Sequence, residues 1–182
     1  MSECDLVFNQ PSAWKGLEEV YTKHITGIGP IKTIVEIGVD YGWSLFHFAK
    51  DFPEATIIGI DNYDHPLYTQ HNAEQWVLQF LNDFRNVLLI KSNSLEAARL
   101  LHCSIDLLHI DGDHTYEAVK SDFAAWEPKV RSGGCIMFHD TISFPNDIGR
   151  FFEELKGTKI NFPLYNGLGF WFKDKEDKSN SI

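Results

Sequence analysis

The feature that most constrains the fold is an alternation of apolar, strand-length runs with stretches of helical periodicity, which begins near residue 33. Five runs, KTIVEIGV, ATIIGID, NVLLIK, SIDLLHID and GGCIMFHD, are largely apolar instead of alternating between apolar and polar residues. Continuous apolar runs are typical of parallel strands that are buried on both faces. The pattern therefore predicts an α/β fold, doubly wound, with a mostly parallel sheet and helices on both of its faces.

The remaining elements follow from periodicity and spacing. Apolar residues recur at helical spacing around residues 12–26, 45–52, 76–84, 94–101, 119–130 and 146–156. The last two runs, TKINFPL and GLGFWFK, have no helix between them, so we expect an antiparallel hairpin that completes a seven-stranded sheet. No internal repeat or linker is visible, which predicts a single domain over residues 1–182. Residues 1–30 form its predicted N-terminal helical cap and residues 174–182 a flexible tail.

Composition limits the classes of function and partner. A chain of 182 residues that is 43% hydrophobic is long enough to bury one core. Its formal net charge of −10 would repel an anionic polymer, so nucleic acid is not an expected partner. No apolar run approaches membrane-spanning length and no signal peptide is visible, so no membrane partner is expected either. Three scattered cysteines without a C-x-x-C motif indicate reduced thiols and a cytoplasmic location, and a homo-oligomer is left open.

Ligands of doubly wound sheets bind outside the carboxyl ends of the strands, so the residues that follow each strand are the candidates. After the first strand, Gly38 and Gly42 either let a ligand approach the backbone or simply make a tight turn. The next helix offers unpaired N–H groups, and Ser44 adds a hydroxyl. Asp40 stands where the dinucleotide-binding pattern has its middle glycine, and its carboxylate would repel a pyrophosphate.

Polar residues also follow the second and third strands. Asp61 is placed to accept hydrogen bonds from both ribose hydroxyls of a nucleoside, although a single Asp in this position is also common as a cap. Asn93 and Ser94 follow the third strand. They either contact a purine edge or cap the helix that comes next.

Acid and imidazole groups follow both the fourth and the fifth strand. Asp111 ends the fourth strand, and His139 and Asp140 end the fifth, which gives a nitrogen and oxygen ligand set suited to Mg²⁺ or Mn²⁺. His114 lies one short loop beyond Asp111 and is a candidate general base. The other six histidines are expected to be ordinary hydrogen-bonded residues: His24, His47, His65, His71, His102 and His109.

Several of these segments together resemble class I S-adenosylmethionine-dependent methyltransferases. The segments are VEIGVDYGWS, IIGID, KSNSLEAA and HIDGDHTYEAVKSDFAAWEPKVRSGGCIMFHDT. Methyltransferase family 24 is the most similar group, with relatives among the O-methyltransferases of antibiotic sugars and of catechol-type substrates. The resemblance runs from about residue 33 to the end of the fifth strand, and IDGDHTYEAV is its most specific part. It implies a Rossmann-like methyltransferase fold and S-adenosyl-L-methionine as the cofactor.

The resemblance also implies roles for individual residues. The implied cofactor-binding set consists of Glu36, Gly38, Gly42 and Ser44 for the methionine part, Asp61 for the ribose, Asn93 and Ser94 for the adenine, and Asp111 at the end of the fourth strand. The implied metal ligands are Asp111, His139 and Asp140, with His139 standing where metal-dependent members have an acidic residue. Asp111 and His114 are the implied catalytic residues.

The expected function is O-methylation of a small molecule or sugar hydroxyl, with Mg²⁺ or Mn²⁺ as an optional second cofactor. Two other classes stay open. A nicotinamide-dinucleotide oxidoreductase would share the fold and the acid after the second strand, and a Rossmann-like scaffold protein would have no catalysis. The segment 62–72, with Tyr63, His65, Tyr68 and His71, is expected to line the pocket of the methyl acceptor.

Overall fold

A single seven-stranded sheet organises the computed structural model, which describes residue 16 and residues 18–64, 72–164 and 166–175. The strands are β1 (Thr33–Ile37), β2 (Thr56–Asp61), β3 (Val87–Lys91), β4 (Ile105–Ile110), β5 (Val130–His139), β6 (Thr158–Phe162) and β7 (Leu168–Phe172). Their order across the sheet is β3-β2-β1-β4-β5-β7-β6. All pairs are parallel except those of β7, which runs antiparallel to both β5 and β6. The predicted fold class is confirmed.

Helices connect the strands in the places that the periodicity predicts. They are α1 (Glu18–Ile25), α2 (Trp43–Asp51), α3 (Ala73–Phe80), α4 (Ser94–Leu100), α5 (Tyr116–Trp126) and α6 (Ile148–Glu154). Three 3-10 turns follow α1, α3 and α5 at Thr26–Ile28, Leu81–Asp83 and Glu127–Lys129. Most of the predicted cap before residue 16 and the tail after residue 175 lie outside the described residues. Among the helices described, none is long and apolar enough to cross a membrane.

Alternate side chains of each central strand enter different halves of the core. Ile34 of β1 and Leu107 of β4 pack in the cluster that includes α1, α2 and α3. Val35 and Leu108, one position further along, pack in the cluster that includes α4, α5 and α6. Because both faces are covered by helices, every position of these strands favours an apolar residue.

Asp106, near the amino end of β4, joins β1 to β5. Its carboxylate accepts hydrogen bonds from the backbone N–H groups of Lys32, at 2.7 Å, and Thr33, at 2.9 Å. The Arg131 guanidinium donates to the same carboxylate and also to the carbonyl oxygen of Ile28, at 2.7 Å. Burial alone would raise the pKa of Asp106, but these donors hold the pKa below its ordinary value.

We predict that Asp106→Ala lowers the free energy of unfolding by about 2–4 kcal/mol, because two N–H groups and a guanidinium lose their acceptor. The folded-state pKa of Asp106 is depressed, so its contribution is complete above the unfolded value of about 3.9 and disappears as the pH falls through the folded pKa. Denaturant titrations at neutral and at strongly acid pH measure both effects. Glu54→Ala, at an exposed position, is the control, and equal losses for the two variants would contradict the assignment.

Candidate active site

The loop that follows β1 is clamped between the carboxyl ends of β2 and β4. The N–H of Gly38 donates to the carbonyl oxygen of Ile60 at 2.9 Å, and the N–H of Asp111 donates to that of Ile37 at 2.8 Å. A Cβ atom on Gly38 would lie 2.1 Å from the carbonyl oxygen of Asp111, and the φ angle of Gly38 is +84°. Only glycine satisfies both conditions. The close approach of two strand ends thus requires this glycine whether or not a ligand is bound.

Gly42 serves the packing of two helices. It precedes α2 with a φ angle of +78°, and a Cβ atom there would lie 3.0 Å from the Phe46 ring and 3.1 Å from Val77 of α3. Both glycines therefore have the structural role in a tight turn that the sequence left open. Their predicted contact with a cofactor stays a prediction.

Asp61 holds the loops that follow β1 and β2. One carboxylate oxygen accepts hydrogen bonds from the N–H groups of Val39, at 2.7 Å, and Asp40, at 3.1 Å. The other oxygen accepts from the N–H of Tyr63 at 2.7 Å. Asp40 and Tyr63 have left-handed backbone conformations, with φ angles of 51° and 54°. These conformations are unfavourable for residues with side chains, and the hydrogen bonds to Asp61 offset that cost.

A buried polar group lies between β1, α2 and β4. Oε1 of Glu36 accepts a hydrogen bond from the Ser44 hydroxyl and lies 2.9 Å from Nδ1 of His109. The side chains of Glu36 and His109 are both 0% exposed. Burial raises the pKa of Glu36, although the contacts with His109 and Ser44 partly oppose this. Ser44 donates its hydroxyl hydrogen to Glu36, and its predicted contact with the methionine part of a cofactor stays a prediction.

His109 was expected to be an ordinary histidine, and its contact with Glu36 was missed. A signal for it exists in the sequence. The apolar runs TIVEI and IDLLHI each have a polar residue one position before their last residue, and β1 and β4 place these two residues, Glu36 and His109, opposite each other. A polar residue inside a buried strand must find a polar partner, and the neighbouring strand is the nearest source.

The glycine loop is surrounded by carboxylates. Burial, together with the charges of Asp111, Asp61 and Glu36, raises the pKa of Asp40 to about 6. Like charges that are held close together each favour the protonated form of their neighbours. The loop therefore lies in a negative field that favours a cationic ligand over an anionic one.

The segment after β3 has structural roles. Oδ1 of Asn93 accepts a hydrogen bond from the N–H of Leu95 at 2.9 Å, so Asn93 caps α4. The Ser94 hydroxyl accepts a hydrogen bond from Nε1 of Trp126 in α5 at 2.9 Å. Of the two readings left open by the sequence, the helix cap is realised for Asn93. Adenine contacts by Asn93 and Ser94 stay predictions.

The structure brings together the four acid and imidazole residues that were predicted to meet at this rim. One ligand atom each from Asp111, His139 and Asp140 lies within 4.8 Å of the others. Nδ1 of His139 is 3.1 Å from Oδ1 of Asp111. Nε2 of His114 lies 2.7 Å from Oδ2 of Asp140 and 3.6 Å from Oδ1 of Asp111. We refer to these four residues as the His–Asp cluster.

The His–Asp cluster favours a positive charge at its centre. Burial lowers the pKa of His139, but the charges and hydrogen bonds of Asp111 and Asp140 outweigh burial and raise that pKa to about 10. Oδ1 of Asp140 is buried and has no hydrogen-bond partner among the residues that the structure describes. An uncommitted carboxylate oxygen next to a second carboxylate and an imidazole suits a divalent cation.

The segment predicted to line an acceptor pocket is described only in part. Residues 65–71, which include His65, Tyr68 and His71, lie outside the described residues. Tyr63 is 4% exposed and packs in the core cluster of α2 and α3, so it does not line an open surface. Three exposed apolar residues that the sequence reading did not single out follow β5 and β6 instead: Ile142, Phe144 and Leu164.

The sheet order, with its single antiparallel strand β7, and the acid-lined glycine loop define the class I S-adenosylmethionine-dependent methyltransferase fold. A family model described as a methyltransferase domain matches residues 35–141. The chain belongs to this family, methyltransferase family 24.

Two curated sequences are similar to the chain. An uncharacterized protein of Sinorhizobium fredii is 30% identical over 163 residues, which are 80% of this chain and 17% of that protein. An uncharacterized protein of Acanthamoeba polyphaga mimivirus is 35% identical over 116 residues, which are 59% of this chain and 51% of that protein. The chain thus spans about half or less of the length of these relatives.

Solved structures share the fold at low sequence identity. A Staphylococcus aureus protein provisionally named a caffeoyl-CoA O-methyltransferase has a TM-score of 0.71 at 19% identity, covering 93% of this chain and 96% of its own. The O-methyltransferase TomG of Streptomyces achromogenes, solved with S-adenosylmethionine, has a TM-score of 0.69 at 15% identity, covering 91% and 82%. MycE of the mycinamycin biosynthetic pathway, solved with Mg and S-adenosylhomocysteine, has a TM-score of 0.62 at 20% identity, covering 88% and 49%.

We predict that Gly38→Ala lowers the free energy of unfolding by about 3 kcal/mol or more, because the new Cβ meets the Asp111 backbone and the left-handed conformation strains alanine. Gly27→Ala is the matched control, since no atom lies within 4 Å of a Cβ atom placed there. The control should change stability by no more than about 0.5 kcal/mol. Urea titrations compare the two, and a Gly38→Ala protein as stable as Gly27→Ala would show that the clamp is not needed.

Proposed function

We propose that this chain transfers a methyl group from S-adenosylmethionine to a hydroxyl oxygen of a small molecule. The observation that carries the proposal is the presence, at one rim of the sheet, of an acid-lined glycine loop beside a cluster of two histidines and two aspartates. The first is suited to a cationic cofactor and the second to the activation of a hydroxyl. Membership of the methyltransferase family and the fold of TomG and MycE support the assignment.

The residues of the loop fit the cofactor. S-Adenosylmethionine carries an ammonium and a sulfonium group, which the carboxylates of Glu36, Asp40 and Asp111 attract. Oε2 of Glu36 is buried and has no hydrogen-bond partner within the described part of the chain, so an acceptor is ready for an ammonium group. Beyond its three backbone contacts, the Asp61 carboxylate keeps one acceptor site, on Oδ1, for a ribose hydroxyl. A pyrophosphate would meet repulsion here, which disfavours the oxidoreductase alternative.

In this proposal the cofactor supplies an electrophilic methyl group, and the protein orients the acceptor and removes its proton. His114 is the proposed base. Its Nε2 lies between Asp140 and Asp111, and two carboxylates favour a proton on that nitrogen. Nδ1 is then the basic atom, which accepts the proton of the acceptor hydroxyl. Asp140 stabilises the imidazolium that results.

The His–Asp cluster also fits a divalent cation, which we include in the proposal. Asp111, His139 and Asp140 would hold it, and the uncommitted Oδ1 of Asp140 supports this. A bound cation would lower the pKa of the acceptor hydroxyl and fix its orientation. The imidazole ligand favours Mn²⁺ over Mg²⁺ relative to a set made only of carboxylates. The presence of Mg in the MycE structure supports a cation in this fold.

The surroundings of His114 indicate the character of the acceptor. The Phe144 ring lies 4.7 Å from the His114 ring, centre to centre, and is exposed. Ile142 is exposed beside it, and its N–H donates to the carbonyl oxygen of Asn166, so the turn that carries the exposed Leu164 lies against this loop. An acceptor whose hydroxyl adjoins an apolar body matches this surface. A sugar hydroxyl on an apolar scaffold and a phenol both meet the requirement.

The bulk properties support a small acceptor inside the cell. A net charge of −10 does not favour methylation of nucleic acid. Cys103 and Cys135 form no disulfide, and Cys135 is buried, in keeping with a cytoplasmic location. Separation of cell fractions followed by immunoblotting would test the location, and recovery outside the cytoplasm would contradict it.

We predict that S-adenosylmethionine and S-adenosylhomocysteine bind with micromolar dissociation constants, whereas NAD(H) does not bind. Asp61→Asn should weaken the binding of both compounds by about tenfold or more, because the amide replaces one acceptor oxygen by an NH2 donor and so loses contacts to the loop N–H groups or to the ribose. Isothermal titration calorimetry measures both effects, with the exposed Glu54→Gln variant as the control. If S-adenosylmethionine does not bind, the proposed function is wrong. Binding without transfer to any acceptor would favour the scaffold alternative.

We predict that His114→Ala leaves the affinity for S-adenosylhomocysteine unchanged and slows methyl transfer by about 10²- to 10⁴-fold, because the base is lost. The transfer assay uses radiolabelled cofactor with a panel of phenols, simple sugars and glycosylated apolar alcohols. In a separate measurement, Asp140→Asn should weaken Mn²⁺ binding, which is detected by the paramagnetic enhancement of water proton relaxation. His102→Ala is the control, since His102 is exposed. Full turnover by His114→Ala would remove the base assignment, and transfer only to simple sugars would contradict the apolar acceptor.

A further inference from the structure

Glu36 and His109 form a buried pair in which only one of the two carboxylate oxygens of Glu36 accepts hydrogen bonds. They are partners in the register of β1 and β4, and Nδ1 of His109 lies 2.9 Å from Oε1 of Glu36. The Ser44 hydroxyl donates to the same oxygen. Both contacts therefore fall on Oε1, while Oε2 is equally buried and has no hydrogen-bond partner among the described residues.

Core packing does not explain a histidine at this position. Leu107 and Met137 belong to the apolar cluster on this side of the sheet, and the Phe48 ring meets the His109 ring edge to face at 5.8 Å. An apolar side chain would suit these neighbours. A buried carboxylate that lacks a partner on one oxygen costs free energy, and a ligand that pairs with that oxygen would remove the cost.

The Glu36 carboxylate lies near the end of β1, two residues before Gly38 of the glycine loop. Its charge acts on Asp40 in that loop, and the charge of Asp111 at the end of β4 acts on Glu36 in turn. Of the two oxygens of this carboxylate, only Oε2 has no hydrogen-bond partner among the described residues.

We propose that His109 is a positioning residue for the cofactor. Together with Ser44 it holds Oε1 of Glu36, so that Oε2 faces the ammonium group of the methionine part. The inference rests on the proposed function, because it requires S-adenosylmethionine as the cofactor. His109 therefore affects only the binding of the cofactor's amino group, whereas Asp61 is the proposed contact of the adenosine part.

Three ligands separate the parts of the cofactor. S-Adenosylhomocysteine has both the amino and the carboxyl group, decarboxylated S-adenosylhomocysteine keeps the amino group, and 5′-methylthioadenosine lacks both. His109→Leu removes the donor to Glu36, whereas His109→Asn keeps an N–H donor at about the position of Nδ1. Met137→Leu is the matched control, because Met137 is the fully buried register partner of His109 on β5.

By calorimetry, His109→Leu should bind the two amino-bearing ligands about 10- to 100-fold more weakly, the loss expected when a charged hydrogen bond is no longer oriented. Its affinity for 5′-methylthioadenosine should change less than about threefold. His109→Asn should stay within about threefold of the wild type for all three ligands, and Met137→Leu should show no selective change. An equal loss for all three ligands in His109→Leu would overturn the proposal in favour of a purely structural role.

A second measurement uses the unmodified protein, in case His109→Leu does not fold. In protein labelled with ¹⁵N-histidine, S-adenosylhomocysteine should shift the Nδ1 resonance of His109, and 5′-methylthioadenosine should not. A resonance that moves with neither ligand, or equally with both, would also overturn the proposal. The two failures are distinguishable. If the wild type binds none of the three ligands, the proposed function fails first, whereas normal binding with no dependence on His109 removes only this inference.

Discussion

The structure depends on the backbone clamp around the loop after β1. Hydrogen bonds from Gly38 to β2 and from Asp111 to β1 hold three strand ends at a spacing that leaves no room for a side chain. Asp61 then fixes the loops beyond these ends through three further backbone donors. Without such constraints, carboxylates of like charge would move apart. With them, Glu36, Asp40, Asp61 and Asp111 are kept close enough for their charges to interact.

Strand β4 connects the two halves of the proposed site. His109 lies on β4, and Asp111 directly follows this strand with its N–H still bonded to the carbonyl oxygen of Ile37 on β1. The first contacts Glu36 on β1, and the second contacts His139 at the end of β5. In the proposed function, β4 and the residue that directly follows it thus position both the cofactor side and the acceptor side. Displacement of a methyl group requires donor and acceptor to be in line, and residues on strands hold such geometry better than residues on loops.

Most of the fold follows from local patterns in the sequence. Five continuous apolar runs indicate buried parallel strands, and the absence of a helix between the last two runs indicates the antiparallel pair. The His–Asp cluster also follows, because parallel strands deliver the residues after their carboxyl ends to one rim. The order of the strands does not follow, since it depends on contacts between distant segments. β5 also begins at Val130, ahead of the predicted run, because Ile105 and Val130 pair across a bulge.

The hydrogen bonds in the site that the sequence did not predict have a common cause. His109, Ser44 and Ser94 each have a partner that is distant in the sequence: Glu36 for the first two, and Trp126 for the third. Sequence position shows that a polar residue lies near the rim, but it does not show which neighbour already uses its hydrogen bonds. Asn93 differs, since its cap on α4 is local and was one of the two readings available from the sequence.

The exposed apolar residues in the loops after β5 and β6 affect how such a domain can acquire new substrates. Ile142, Phe144 and Leu164 lie in segments that follow β5 and β6, and none of them takes part in the clamp around Gly38 and Asp61. In the proposed function, substitutions in these segments would change the surface next to the acceptor while the clamp around Gly38 and Asp61 keeps its geometry. Selection for new substrates can therefore act on one set of loops without a penalty in cofactor affinity, so one catalytic frame is open to many acceptor chemistries.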